Sequence, residues 1–259
     1  MLALSPIPTN GVTDSPTWKE GEFTLVSSDG VRCHTNPIHL KAARCAVDPP
    51  RSDHSPRLRD LVTASSGGEI VLRDADSTTL DHFLSVLVHK RLASSALGSG
   101  VDVIDRLRRL FAFLRAYGCD IPRRTALTSL HRDRRLRPYQ RFAVGAGEGD
   151  LDLCIEALGA TVLDPNLGRN HGDCDGRFDL DPRSMPFAVS RRIPPAFLWA
   201  LTRAWDQSNP SITSRSGYHV DELVDLFESY FKIAQHAPPA PEYEAVETAV
   251  KRHRASMPF

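Results

Sequence analysis

The fold of this chain is decided by the stretch Glu22-Phe-Thr-Leu-Val-Ser-Ser-Asp-Gly-Val-Arg-Cys-His34. Before the Ser28-Asp29-Gly30 turn, one face of a strand would carry Phe23, Leu25 and Ser27, and the other would carry Thr24 and Val26. An Asp-Gly pair is typical of the tight turn of a β-hairpin, because glycine tolerates the backbone angles that the turn requires. The stretch therefore predicts a β-hairpin over 23–34.

The segments that follow the hairpin predict a small sheet capped by helices. A helix is predicted over 37–46, and Glu69–Arg73 is predicted to be a strand because it holds two β-branched residues after a Gly-Gly pair. Asp76 and Ser77 mark the start of another helix, and Val101–Tyr117 has a broad apolar face. We expect Glu69–Arg73 to pair with the hairpin, and the helix at Val101–Tyr117 to pack beneath that sheet.

The second half of the chain is predicted to contain helices only. The predicted helices are Pro138–Ala146, Asp150–Leu158, a segment opened by Pro194-Pro195, Val220–Ile233 and Glu242–His253. We therefore expect the α+β class and three parts: a disordered tail at 1–19, an α+β domain at 20–132, and a helical extension at 133–259.

The overall composition excludes several classes of protein. Hydrophobic residues make up 41% of the chain and charged residues 25%, as in ordinary folded domains. Lys plus Arg and Asp plus Glu both number 32, so the net charge by itself does not identify a class of partner. The five cysteines are scattered, which favours reduced thiols. No window approaches the roughly 18 apolar residues of a membrane span. We expect an intracellular protein of the cytoplasm or nucleus, without membrane contact.

In their order, these elements resemble the BTB/POZ domain, in the divergent form common in fungi. The matching residues are Phe23–Arg32, Leu40 with Ala42-Ala43, Ile70–Asp74, Ser77 with Leu80-Asp81, and Ala116–Cys119. The helical extension of such proteins is similar to Pro138, Phe142–Gly145, Gly149 and Glu156-Ala157. The resemblance covers about 21–161 and implies a small sheet capped by helices, followed by an all-α extension.

The resemblance implies a non-enzymatic protein–protein interaction module that self-associates and can serve as an adaptor. Family members usually dimerise through the first helix and the neighbouring hairpin. The interface residues that this implies here are Phe23, Leu25, Ile38, Leu40, Ala42 and Ala43. Many members also bind a cullin through a hydrophobic-x-Glu motif. Within Leu87–Leu92 this chain has His89, Lys90 and Arg91 instead, so we do not expect cullin binding.

An alternative function is indicated by a basic run from Arg106 to Arg141, which holds eleven arginines and two acids. Such a face could bind the phosphate backbone of a nucleic acid, as a nucleic-acid-associated regulator does. The same arginines more simply form the solvated face of a helix or contact a protein partner, and we prefer this interpretation. His131–Arg137 lacks the interleaved aromatic residues that stack on bases.

A further alternative is a methyl-donor-dependent transferase that uses the segment Phe142–Asp164. Its glycines mimic the loop that lets backbone N–H groups approach a ligand, and Asp164 stands where an acid would bind a ribose. The preceding residues Arg134–Arg141 are too charged for a buried parallel strand, and no further strand–helix units follow. A helical hairpin interrupted by glycines explains the same residues.

Metal ligands are sparse in the sequence. Asn170–Gly176 contains ligand types, but alignment with a calcium loop puts Pro182 where a bidentate Glu is required. Zinc needs more Cys and His residues than His171 and Cys174 provide. We therefore expect no metal ion, no cofactor and no catalytic residue, and we interpret other histidines such as His82 as surface or boundary residues.

Overall fold

A computed structural model of the chain describes residues 11–42, 58, 61–62, 65, 68–93, 100–133, 135–163, 180–183, 185–208 and 218–236. These residues form four strands and nine helices, which is the expected α+β class. The chain divides into two units after Arg135, close to the expected boundary between residues 132 and 133. The first unit holds all strands of the described residues and is called the sheet unit. The second is called the helical unit.

The sheet unit contains one mixed sheet with the spatial order β1-β3-β2-β4. Its elements are β1 (Thr13–Asp14), β2 (Phe23–Ser27), β3 (Val31–Thr35), α1 (Pro37–Ala42), β4 (Glu69–Leu72), α2 (Ser77–His89), α3 (Asp102–Ala116) and α4 (Asp120–Arg132). β2 and β3 form the antiparallel hairpin, with Leu25 opposite Cys33. β4 runs parallel to β2, with Ile70 beside Leu25. The predicted hairpin and its pairing with the later strand are confirmed.

The sheet has an apolar face and a polar face, because successive side chains of a strand point to opposite sides. Leu25, Cys33 and Leu72 share the apolar face, and each is at most 1% exposed. Arg32 and Glu69 lie on the polar face with their charged groups 4.0 Å apart and their side chains nearly half exposed. This second face is polar only in part, because Val26, which pairs with Arg32, is 1% exposed.

Helix α2 is the central helix of the sheet unit. It packs against β3, α1, α3 and α4, and every residue from His82 to Leu87 is buried. Burial of consecutive residues shows that other parts of the protein surround this stretch of α2 on all sides. α3 packs against α2 and α4. The prediction that His82 is a surface or boundary residue was wrong, because its side chain is fully buried on this enclosed helix.

The hairpin turn is joined to the start of α2 through a carboxylate. Asp29 accepts hydrogen bonds from the backbone N–H of Ser77 at 2.9 Å and from its hydroxyl at 2.6 Å. Burial opposes ionisation of Asp29, but hydrogen bonds from Ser27 and Ser77 outweigh it and hold its pKa below the usual 3.8. Asp76 caps the same helix by accepting from the N–H of Thr79 at 2.7 Å. Both acids lie at the positive end of the helix dipole, which they stabilise.

The N-terminal segment differs from our expectation of a disordered tail at 1–19. Residues 1–10 lie outside the described residues, but Thr13 and Asp14 form β1, which runs parallel to β3. Ser15 is buried, and its hydroxyl accepts from the N–H of Trp18 at 3.2 Å. The prediction was wrong for residues 11–19 because backbone pairing and side-chain anchoring hold a segment whose composition is typical of disorder.

The helical unit is built from two packed helix pairs and a short helix. Its described helices are α5 (Pro138–Glu148), α6 (Leu151–Leu163), α7 (Phe187–Ser190), α8 (Pro195–Gln207) and α9 (Tyr218–His236). α5 packs against α6, α8 packs against α9, and α9 also contacts α6. Phe227 of α9 joins these pairs, since its ring centroid lies 5.5 Å from Phe142 and 6.5 Å from Phe197. The predicted helices up to 233 are confirmed, and the one predicted at 242–253 lies outside the described residues.

The bond between the hairpin turn and α2 can be tested with Asp29→Ala. The variant should lower the free energy of unfolding by about 1 kcal/mol near neutral pH, as the loss of a helix cap does. Because the pKa of Asp29 is lowered on folding, this stabilisation is complete above the unfolded-state pKa and is lost as the pH falls through the folded-state pKa.

The measurement is urea unfolding of both proteins at about pH 7 and about pH 3, where the difference should shrink. Ser28→Ala is the matched control, since Ser28 is exposed in the same turn and should leave the midpoint unchanged. Equal midpoints of Asp29→Ala and wild type at neutral pH would contradict the assignment.

Candidate protein-interaction surface

The residues implied for a partner interface do not share one surface. Phe23, Leu25 and Leu40 are 5%, 0% and 0% exposed, so they belong to the core of the sheet unit and cannot reach a partner. That part of the prediction is corrected, because alternation along β2 puts Phe23 and Leu25 on the buried face. Ala43 and the side chain of Ala42 lie outside the described residues.

Ile38 remains as the exposed member of that set. Its side chain is 68% exposed, more than any other large apolar side chain among the described residues. Asn36 fixes the start of α1, because its side-chain oxygen accepts from the N–H of Ile38 at 2.9 Å. Leu40 lies two positions further along the helix and is buried, so Ile38 projects from the opposite side. Burial of this apolar side chain against a partner would make association more favourable.

The arginines of 106–141 do not form one free basic face. Arg109 lies 3.3 Å from the carboxylate of Asp76. Arg141 is 8% exposed and lies 3.6 Å from Glu156 on α6. The run also divides between the two units. Asp76 and Glu156 lie outside the basic run in the sequence. The composition of the run alone therefore overstates the positive charge that is available to a ligand.

The glycine-containing segment Phe142–Asp164 forms two helices in its described part. α5 continues through Gly145 and Gly147, and Gly149 ends it in the left-handed conformation with φ 71°. α6 then runs to Leu163. The strand and glycine loop on which the transferase alternative depends are therefore replaced by a helical hairpin.

Gly145 allows these two helices to approach closely. A Cβ atom at this position would lie 3.2 Å from atoms of Asp150, Leu153 and Cys154. The thiol of Cys154 donates to the carbonyl of Phe142 at 3.6 Å, and burial raises its pKa well above the usual value. A thiol of this kind stays protonated at neutral pH, so Cys154 serves packing and is a poor nucleophile.

The thiol of Cys33 is also buried. Burial raises the pKa of Cys33 to about 11, with a minor opposing hydrogen bond from Ser15. Among the residues that the structure describes, no three His, Cys, Asp or Glu side chains come together as metal ligands. The segment Asn170–Gly176 lies outside those residues.

Trp18 is a contact residue that the sequence did not reveal. Its indole N–H donates to Asp81 at 2.7 Å, and its ring stacks on His89 with the centroids 5.7 Å apart. The available signal was a single tryptophan in a segment rich in Pro, Ser and Thr. A tryptophan has a large apolar body and one donor, so it usually marks a packed position.

No family model, curated protein or solved structure matches this chain. Within the described ranges, no helix combines the length and the apolar character needed to cross a membrane. The resemblance to the BTB/POZ domain therefore depends on the residues and on the order of the elements.

The packing role of Gly145 can be tested with two glycine-to-alanine variants. Gly145→Ala should lower the free energy of unfolding by about 1 kcal/mol, because the added methyl overpacks the contact between α5 and α6. Gly159→Ala is the matched control on α6. No atom lies within 4 Å of its would-be Cβ, so it should stabilise the chain by roughly 0.5 kcal/mol through helix propensity.

Chemical denaturation of both variants measures these opposite shifts. A Gly145→Ala protein that is stabilised as much as Gly159→Ala would contradict the close approach of α5 and α6, because the added methyl would then meet no resistance.

Proposed function

We propose that this chain is a non-enzymatic protein–protein interaction module of the BTB/POZ type. The observation that supports the proposal most is the parallel pairing of β4 with β2, followed directly by α2. Along the chain, a hairpin is followed by a crossover that returns to β2, the first strand of the hairpin, and then by a cluster of helices. This is the order that the resemblance implies.

Self-association through α1 is the mechanism that we propose. In a two-fold dimer, the same surface of each chain forms the interface. The Ile38 side chains of the two chains would therefore both be buried there. Lys41 is exposed on the same helix, so the Lys41 side chains of the two chains would lie near each other at the two-fold axis. Like charges there weaken pairing, so the dimer should be of modest affinity and should tighten at higher salt.

The nucleic-acid alternative is less well supported. Arg109 and Arg141 contact carboxylates of the same chain, so they are less available to phosphate groups. A regulator that used the whole 106–141 run would bind DNA with a steep salt dependence. Retention of the purified chain on DNA at physiological salt would favour this alternative over the interaction module.

Ile38→Asp tests the proposed dimer. The variant should raise the dimer dissociation constant about tenfold or more, because each interface loses two apolar side chains and must bury two strongly hydrated carboxylates in their place. Light scattering over a concentration series measures the change. Ile121→Asp is the matched control, since Ile121 is also exposed in the sheet unit, at 40%, and lies on α4. A wild-type chain that stays monomeric at high micromolar concentration would refute self-association.

Cullin binding is predicted to be absent. α2 ends at His89, and Lys90 adopts a left-handed conformation with φ 56° while its amine donates to the carbonyl of Leu87 at 2.8 Å. Leu92 is 1% exposed, so it cannot serve as the hydrophobic contact. A pull-down with a purified cullin should retain no chain at micromolar concentration, with a motif-carrying BTB protein as the positive control. A submicromolar complex would show that another surface replaces the motif.

A further inference from the structure

Residues 11–18, here called the N-terminal strap, lie along the outer edge of β3. The N–H of Thr13 donates to the carbonyl of Gly30 at 3.0 Å, and the N–H of Ser15 donates to that of Arg32 at 2.7 Å. In return, the N–H of His34 donates to the carbonyl of Trp18 at 2.9 Å. The edge of β3 thus offers both donors and acceptors to an extended backbone.

Side chains hold the strap at both ends of this edge. Asp14 lies 3.6 Å from the ring of His34, whose other nitrogen lies 3.2 Å from the hydroxyl of Thr24. At the far end, Trp18 lies on α2 between Asp81 and His89. The site beneath the strap therefore offers three contacts to a ligand: the backbone groups of the β3 edge, the ring of His34 for an acid, and the side chains of Asp81 and His89 for an indole.

The strap is nevertheless lightly attached. Its paired strand has two residues, both exposed, and the carboxylate-bearing side chain of Asp14 is 66% exposed. Ordering such a segment loses backbone entropy at every residue, while few of its groups are buried. Residues 19–22, which connect it to β2, are exposed as well.

The connection contains one point of close approach. Gly21 has φ 141°, and a Cβ atom there would lie 2.3 Å from the backbone carbonyl carbon of Thr35. Glycine is required for the connection to pass this close to β3. The chain is therefore shaped to fold back over its own sheet edge.

We propose that the edge of β3, together with the Asp81–His89 surface of α2, is a binding site for an extended peptide of a partner protein. The strap occupies this site in the same molecule and blocks it until the partner peptide displaces it. Pairing of an extended peptide with a sheet edge is a recurring recognition mode, in which backbone bonds give affinity and side-chain sites give specificity.

The strap indicates the chemistry of the partner. Asp14-Ser15-Pro16-Thr17-Trp18 presents an acid toward His34, a buried small hydroxyl residue, and an indole three residues later. A partner peptide should carry an aromatic residue with an N–H donor at the same spacing. The site involves neither Ile38 nor α1, so it is independent of the proposed self-association.

The experiment measures binding of a fluorescein-labelled synthetic peptide of residues 11–20 to the full-length chain by fluorescence anisotropy. The wild-type chain should bind it weakly, because its own strap fills the site and reduces the competent fraction. Full-length Trp18→Ala, which loosens the strap and leaves the site intact, should bind it about tenfold tighter or better. A peptide that carries the same Trp18→Ala change should bind neither protein.

Two further variants keep the outcome decisive. Thr13→Pro removes the donor to Gly30 and should also increase peptide affinity, which gives a second strap variant if Trp18→Ala folds poorly. Trp199→Ala changes another half-buried tryptophan, in the helical unit, and should bind the peptide as the wild type does. Equal affinity of the wild type and both strap variants, or no binding to any of them, would overturn the proposal.

Discussion

The parallel pairing of β4 with β2 is the interaction on which the rest of the structure depends. It is non-local, because the chain must leave the hairpin, form α1 and cross back before Ile70 can lie beside Leu25. α2 begins a few residues after β4, so the pairing also places this central helix against the sheet unit's core. Asp29 then joins the hairpin turn to the first residue of α2, and the two parts hold each other in position.

Local patterns predicted the elements well, and their partners less well. The Asp29-Gly30 turn and the helix periodicities are properties of short windows, and the corresponding hairpin and helices are confirmed. A single apolar stripe on α3 shows that one face is buried but does not say what covers it, so α2 was not expected there. The strap was missed because a composition rich in Pro, Ser and Thr outweighed the one informative residue, Trp18.

The candidate site was harder to predict than the fold for a physical reason. Apolar residues fill a core and form an interface by the same hydrophobic effect, so sequence alone cannot separate Leu40 from Ile38. Exposure separates them, since one is buried and the other is 68% exposed. The number of arginines in a segment likewise does not show how many of them can bind a ligand. Arg109 and Arg141 looked available until folding brought Asp76 and Glu156 to them from outside the basic run.

The most direct test of this account is a nuclear magnetic resonance measurement of contacts between backbone protons in the isotopically labelled full-length chain. Parallel pairing of β4 with β2 predicts cross-strand nuclear Overhauser effects that join Thr24–Ser27 to Glu69–Leu72 in parallel register, with slowly exchanging amides in β2. An antiparallel register, or a segment 69–72 without contacts to β2, would contradict the fold and remove the main support for the proposed function.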